Sequence, residues 1–333
     1  MKKKIGSLLQ LVIGVGLIVF IFARMDNRAD MIEALRTGAR HWPMMVLGIG
    51  GFFFCLLLCM IRWKLLLDAR GMRLSFGRIF QLYFVGHFFN SFMFGSTGGD
   101  VVKAWFVTRE MPDRKTEAVA TVFLDRLIGL SALVILTVTI MLIRLPFFLA
   151  HEATRWSLVF FGGLLLGMIG FLAVTFGHNW LEQWSFFKRI EERTALGAII
   201  TKAYTTIREC MKQPALLAKT LIISIVNHLI LICCAYFLGR GLEIDLNLIG
   251  YLTVFPVINA VAAIPATPGG LGTRETAAIF LLGVLGVPET RAVPLSLLVY
   301  GAVLFWSLFG GIIYMIYVAQ HGKRVGDMSE GGE

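Results

Sequence analysis

The chain has 333 residues, 57% of them hydrophobic and 16% charged, with a mean hydropathy of +0.77. That composition excludes a soluble domain of this size and reads as an integral membrane protein. The net charge of +10 is gathered in particular loops, which excludes a nucleic-acid surface, and the five cysteines form no CxxC pair and have no histidine at ligand spacing, which leaves them as packing residues rather than a metal site.

Taken in chain order, the first apolar run spans about 5–23 behind Lys2, Lys3 and Lys4. It resembles a signal peptide, but Ile21 occupies the minus-three position of the only small-residue cleavage point, after Ala23, so it reads as an uncleaved anchor. Further regular runs fall at 43–61, 119–143, 156–177, 217–238 and 292–318, each near the roughly 20 residues needed to cross a hydrocarbon core. Two runs, 79–97 and 248–286, are interrupted by glycine, proline and charge. The stretch 178–216 mixes basic and apolar residues at helical spacing, with Trp180 and Trp184 suited to the headgroup layer and Lys188, Arg189, Arg193, Lys202 and Arg208 suited to anionic lipid. It is expected to be an interfacial helix hairpin on the cytoplasmic surface.

If the regular runs cross and the interrupted runs dip in and return, 21 basic residues fall on the side of the N-terminus and 8 on the other, with Arg126 and Arg274 at membrane depth. The positive-inside rule then places both termini in the cytoplasm. Full crossing by the first interrupted run would invert every later loop and carry the basic block at 178–219 to the wrong face.

The interrupted runs share an order of residues. Asn90 precedes Gly98, Gly99 and Lys103; Asn259 precedes Gly269, Gly270 and Arg274. The charge topology makes them enter from opposite sides, so the fold expected is an all-α polytopic membrane protein with about six full spans and two re-entrant broken-helix hairpins in an inverted repeat. Pro265 and Pro268 end an incoming half-helix, Gly269, Gly270 and Gly272 permit a reversal, and Thr273 is placed to cap the outgoing half-helix, as Asp100 is after Gly99. A half-helix beginning inside a bilayer presents free amides and partial positive charge, which favours a phosphate or another anion. Lys103 and Arg274 strengthen that preference. Asp125 and Arg126 in "FLDRLIGL" read either as an interfacial pair that snorkels or as part of a polar cavity with Lys103, Arg274, Asp100 and Glu275. His87 and His228, each alone in its segment, read as helix contacts rather than proton carriers.

At "NSFMFGSTGGDVVKAW" (90–105), "ATVFLDRLIGL" (120–130) and "PATPGGLGTRE" (265–275) the chain resembles the transmembrane region of lysylphosphatidylglycerol synthases. Gly95 and Ser96 stand where a proline is common in that family, and Lys103 where an arginine is common. The resemblance implies a flippase-like domain over 1–320, with re-entrant motifs at 79–110 and 248–287, and a short tail at 321–333. It implies lipid handling, without the aminoacyltransferase domain of the complete synthases. The expected site is Asn90, Gly98, Gly99, Asp100, Lys103, Asp125, Arg126, Asn259, Pro265, Pro268, Gly269, Gly270, Gly272, Arg274 and Glu275.

The function expected is translocation of a phospholipid or lipid-linked anionic headgroup across the bacterial inner membrane, by a flippase or scramblase that is not an enzyme and needs no cofactor. Membrane lipids are the expected partners, with a second copy of the chain or a lipid-synthesis enzyme as the protein partner and no nucleic acid. Two other readings stand beside it. One is a membrane enzyme acting on a polyprenyl-phosphate or phospholipid with Asp100 or Asp125 as base, and the other is a scaffold for a lipid-synthesis complex.

Overall fold

Backbone amides and carbonyls in hydrocarbon must find partners within their own segment, so apolar runs of this length fold as helices. The computed structural model describes residues 28–92, 98–176, 195–264 and 270–321, and contains no strand among them. Its helices are α1 (Arg28–Arg40), α2 (Trp42–Ala69), α3 (Phe76–Phe92), α4 (Gly98–Glu110), α5 (Lys115–Ile143), α6 (Leu145–Ala150), α7 (Glu152–Phe176), α8 (Ala195–Met211), α9 (Pro214–Gly241), α10 (Leu248–Ala263), α11 (Thr273–Val284) and α12 (Glu289–His321). The protein is all-α and polytopic. Five helices, α2, α5, α7, α9 and α12, are long and apolar enough to cross a membrane, and they coincide with five of the six regular runs. The run at 5–23 lies outside the described residues, as do 178–194 and the tail beyond His321.

One boundary differs from the sequence reading. α2 continues to Ala69 instead of ending near residue 61, so Arg62 belongs to the helix and not to a cytoplasmic loop. Burial on both sides of the charge is the reason: Met60 before it and Trp63, Leu66 and Leu67 after it are fully buried, and Arg62 is itself buried against the Asp125 carboxylate.

The interrupted runs are pairs of short helices. α3 and α4 have 17 and 13 residues, and α10 and α11 have 16 and 12. At about 1.5 Å per residue none of them reaches the roughly 30 Å of a hydrocarbon core. Each pair doubles back. Arg78, near the start of α3, pairs with Glu110 at the end of α4. Arg291, just beyond α11, donates to the backbone carbonyls of Leu242 and Glu243, just ahead of α10. In both cases the chain leaves on the side where it entered.

α12 serves as a ruler for their direction. Arg78 also donates to the Tyr317 hydroxyl at 3.1 Å, near the C-terminal end of α12. Arg291 lies near its N-terminal end, and residues 291 and 317 are roughly 39 Å apart along an ideal helix. The two hairpins therefore open towards opposite ends of α12. Their tips approach its middle, where the Arg274 guanidinium lies 5.4 Å from the centre of the Tyr300 ring and His87 hydrogen-bonds the backbone of Val303.

Ion pairs tie several of the described loops together on two faces. On one face Arg70 pairs with Glu117 and Glu209, and Lys202 lies 3.7 Å from Glu117. On the other, Glu243 lies 3.9 Å from both His41 and Arg291. α8, the described part of the expected amphipathic segment, buries Cys210 and Met211 against Leu66, Leu124 and Leu216. Each hairpin has its own apolar cluster: Phe84, Val102 and Phe106 with Trp63 around the first, and Val254, Phe255, Leu281 and Leu282 with Leu238 around the second.

Candidate functional site

Between these clusters lies a cavity of about 350 Å³ lined by both hairpin tips. Asn90, Ser91 and Asp100 come from the first hairpin and Asn259, Ala262 and Arg274 from the second. Arg62 of α2, Asp125 and Arg126 of α5, Asn227 and His228 of α9, and Tyr300 of α12 complete its polar wall.

The first tip is closed by Asn90, whose side-chain oxygen accepts from the Gly99 amide at 2.7 Å. Asp100 was expected to cap this half-helix; instead α4 begins at Gly98, and the cap reaches back from α3. Only glycine fits at 99, because a Cβ there would fall on the Gly86 carbonyl oxygen and 2.5 Å from the Asn90 nitrogen. Asp100 is thereby released to accept from Arg126 Nη1 at 3.4 Å.

At the second tip the cap is Gly272, not Thr273. Gly270 and Gly272 take φ values of +74° and +81°, which L side chains rarely adopt. That turn lets the Glu275 carboxylate reach back to the Gly272 amide, while its other oxygen accepts from Ser296 Oγ at 2.9 Å. The Thr273 hydroxyl donates to the Gly270 carbonyl at 3.0 Å. Glu275 is thus buried in a structural bond to α12 and does not line the cavity. Pro265, Pro268 and Gly269 lie outside the described residues.

The remaining charges form one alternating chain. Arg62 Nε donates to Asp125 Oδ1 at 2.7 Å; Lys103 Nζ lies 3.6 Å from Asp125 Oδ2 and 3.7 Å from Asp100 Oδ1; Asp100 then meets Arg126. Arg62, Lys103 and Asp125 are 5%, 3% and 3% exposed, so this is a desolvated network whose members depend on one another. Arg62 Nη1 also donates to Ser224 Oγ at 2.8 Å, and the Lys103 ammonium sits 4.7 Å from the centres of both the Trp63 and Tyr83 rings. Lys103 is therefore sequestered behind the wall, whereas Arg126 and Arg274 reach it. Asp125 pairs with Arg62 rather than with its neighbour Arg126. Three arginines face two aspartates around the cavity, leaving an excess of positive charge.

Arg62, Ser224, Asn227 and Tyr300 were not anticipated from the sequence. For Arg62 a signal existed, since the apolar triplet Leu65, Leu66 and Leu67 continues the helix past it. His87 and His228 make the helix contacts expected of them, and both also line the cavity; His228 Nε2 donates to the Gly129 carbonyl at 3.0 Å.

The chain is similar to a UPF0104 membrane protein, PH1989, of Pyrococcus horikoshii, at 24% identity over 330 residues, covering 92% of this chain and 96% of that protein. The family described as "Lysylphosphatidylglycerol synthase TM region" matches residues 7–311. That match takes in both hairpins, the alternating charge chain and about the first two thirds of α12, and by it the chain belongs to the lysylphosphatidylglycerol synthase transmembrane-region family.

Proposed function

We propose that the protein carries a lipid with an anionic headgroup between the leaflets of a bacterial inner membrane, as a flippase or scramblase. The observation that supports this best is the cavity built jointly by two oppositely directed hairpin tips and bearing an excess of arginine. Broken helices are tolerated within a bilayer where they line a polar cavity, and such cavities between opposed repeats are where transporters hold cargo. The first turns of α4 and α11 add partial positive charge from their amides.

In this reading Arg126 and Arg274 hold the phosphate, and the acyl chains stay in lipid beyond the apolar wall of Leu130, Leu133 and Leu231. Lys103 acts at one remove, by fixing Asp100 and Asp125. The hairpins form an inverted repeat, the face carrying Arg70, Glu117 and Lys202 is cytoplasmic, and the termini lie on that side. Membrane lipids are the partners, with a second copy of the chain or a lipid-synthesis enzyme as a protein partner.

The carboxylates weigh against group-transfer chemistry. Asp125 is bound by Arg62 and Lys103 and Asp100 by Lys103 and Arg126, which leaves neither placed as a general base.

The test is reconstitution into vesicles containing a panel of fluorescent phospholipids that differ in headgroup, with the label on the outer leaflet quenched chemically. Protein-dependent loss of protection is expected for at least one anionic lipid, and it should disappear in the Arg126→Ala/Arg274→Ala double variant. Correctly inserted protein that moves no lipid of the panel would end this reading, and movement unaffected by the double variant would remove the cavity from it.

A further inference from the structure

The alternating charge chain is tight at its buried end and loose at its other end. Arg62 and Asp125 meet at 2.7 Å and are almost wholly buried, whereas Arg126 and Asp100 meet at 3.4 Å with side chains 28% and 22% exposed. A strong bond between ionised groups is about 2.7–2.9 Å long. Arg126 also belongs to the outward stripe of α5. Val119, Phe123 and Leu130 are exposed, and they stand seven and three residues before Arg126 and four after it, on one face of the helix. α5 begins at Lys115, so Arg126 is roughly 17 Å along it, past the headgroup layer and inside the hydrocarbon. A guanidinium on a lipid-facing stripe at that depth is costly unless a polar group meets it there. Asp100 does so, and Arg126 lines the cavity as well as the stripe. Val101, beside Asp100 on α4, is exposed too. The Asp100–Arg126 pair therefore stands between the cavity and the bilayer.

The surroundings of that pair identify what exchanges with it. A phosphate offers a guanidinium the same two-oxygen partner that a carboxylate does. Phe123 and Leu130, exposed on either side of Arg126, suit the acyl chains that a free phosphate lacks. Asp100 can release Arg126 without being stranded, because Lys103 Nζ lies 3.7 Å from its other oxygen. We infer that the cavity is entered sideways from the bilayer, past the Asp100–Arg126 pair. A phospholipid lays its acyl chains along the Phe123 and Leu130 stripe, and its phosphate takes the place of Asp100 on Arg126. Asp100 is then a competitor of the cargo, which holds Arg126 whenever no phosphate does, and Lys103 keeps its charge balanced during the exchange. This entry route rests on the headgroup reading above, and it is tested by lipid capture, so that it fails separately from transport.

Such an exchange predicts opposite effects at its two ends. The full-length protein in detergent is offered phosphatidylglycerol, and retained lipid is measured by native mass spectrometry, with a thermal melt on each sample reporting the fold. Asp100→Asn, which keeps the shape and removes the charge, should raise retention by about fivefold, as expected when a charge-assisted bond no longer competes. Arg126→Gln should lower it by about tenfold, and the double variant should be as low. Inorganic phosphate, the chain-free source of the same chemistry, should not compete at equal concentration. The route itself is read in membranes, with photoreactive benzoylphenylalanine in place of Phe123 or of Leu166, an exposed residue of α7. Phospholipid adducts should form at both positions, and Arg126→Gln should diminish those at 123 alone. Reduced retention in folded Asp100→Asn would make Asp100 part of the binding site and overturn the inference. So would adducts at 123 that are indifferent to Arg126→Gln, crosslinking of 123 to a second copy of the chain instead of lipid, or displacement by equimolar inorganic phosphate. If Asp100→Asn does not fold, the crosslinks decide. Capture that depends on Arg126 in a protein that moves no lipid would leave the entry route standing and contradict transport alone.

Discussion

Arg62 and Asp125 show how much one buried pair can decide. Neither side chain is tolerable alone at this depth, since removing one partner strands a charge at a cost of about 3–5 kcal/mol, while replacing both with apolar groups of similar size is often neutral. Arg62→Met and Asp125→Leu should therefore each lower the thermal midpoint of the detergent-solubilised protein markedly, and the double variant should recover most of the loss. Two additive losses would show that the pair is not the coupled unit described. Arg126 and Arg274 differ because they are the two arginines proposed to hold the phosphate. Each neutral substitution there should reduce anionic lipid retention by about tenfold or more, as expected for loss of a charge-assisted bond, with a smaller change in melting. The sequence made Asp125, Arg126, Lys103 and Arg274 visible because charge inside apolar runs is conspicuous. Arg62 was hidden by its neighbours: Lys64 and Asp68 lie just beyond it in the same stretch and pair with each other at 2.6 Å on the outer side of the helix, so the stretch read as a loop.

At the level of elements the hairpins were legible and their caps were not. Glycines and prolines mark a break wherever they interrupt an apolar run, and the breaks came where those residues lie, between α3 and α4 and between α10 and α11. A cap is a matter of three-dimensional reach. Asn90 caps Gly99 from nine residues upstream, and Gly272 displaces Thr273 because Glu275 can fold back onto its amide. Closure of the first hairpin then rests on one atom's width at residue 99. Gly99→Ala should destabilise the protein more than ordinary overpacking, which costs about 1–3 kcal/mol, because the obstructing atoms are backbone. Gly167→Ala in α7 and Gly283→Ala in α11 meet nothing within 4 Å and should be neutral or slightly stabilising through helix propensity. Equal melting temperatures for all three variants would contradict the tight crossing of α3 and α4. Asn90→Ala, which keeps the glycine and loses only the cap, should cost about 0.5–2 kcal/mol.

At the scale of the molecule, the ion pairs agree with the charge count for the described loops that they join. Arg78 with Glu110 and Tyr317, and Arg291 with Leu242 and Glu243, tie their loops together in space at opposite ends of α12. What the sequence could not supply was the interior wiring, because the alternating chain from Arg62 to Arg126 joins residues on α2, α4 and α5 that only the fold brings together. The central claim is that the hairpins open to opposite faces with their tips at a shared cavity. Side-specific maleimide labelling of single cysteines placed at 78, 110, 243 and 291, in a chain whose five native cysteines are replaced by alanine, tests it most directly. Positions 78 and 110 should label from one side of sealed vesicles and 243 and 291 from the other. Labelling of 78 and 110 from different sides would mean that the first interrupted run crosses the membrane, and the opposed-hairpin architecture would be wrong.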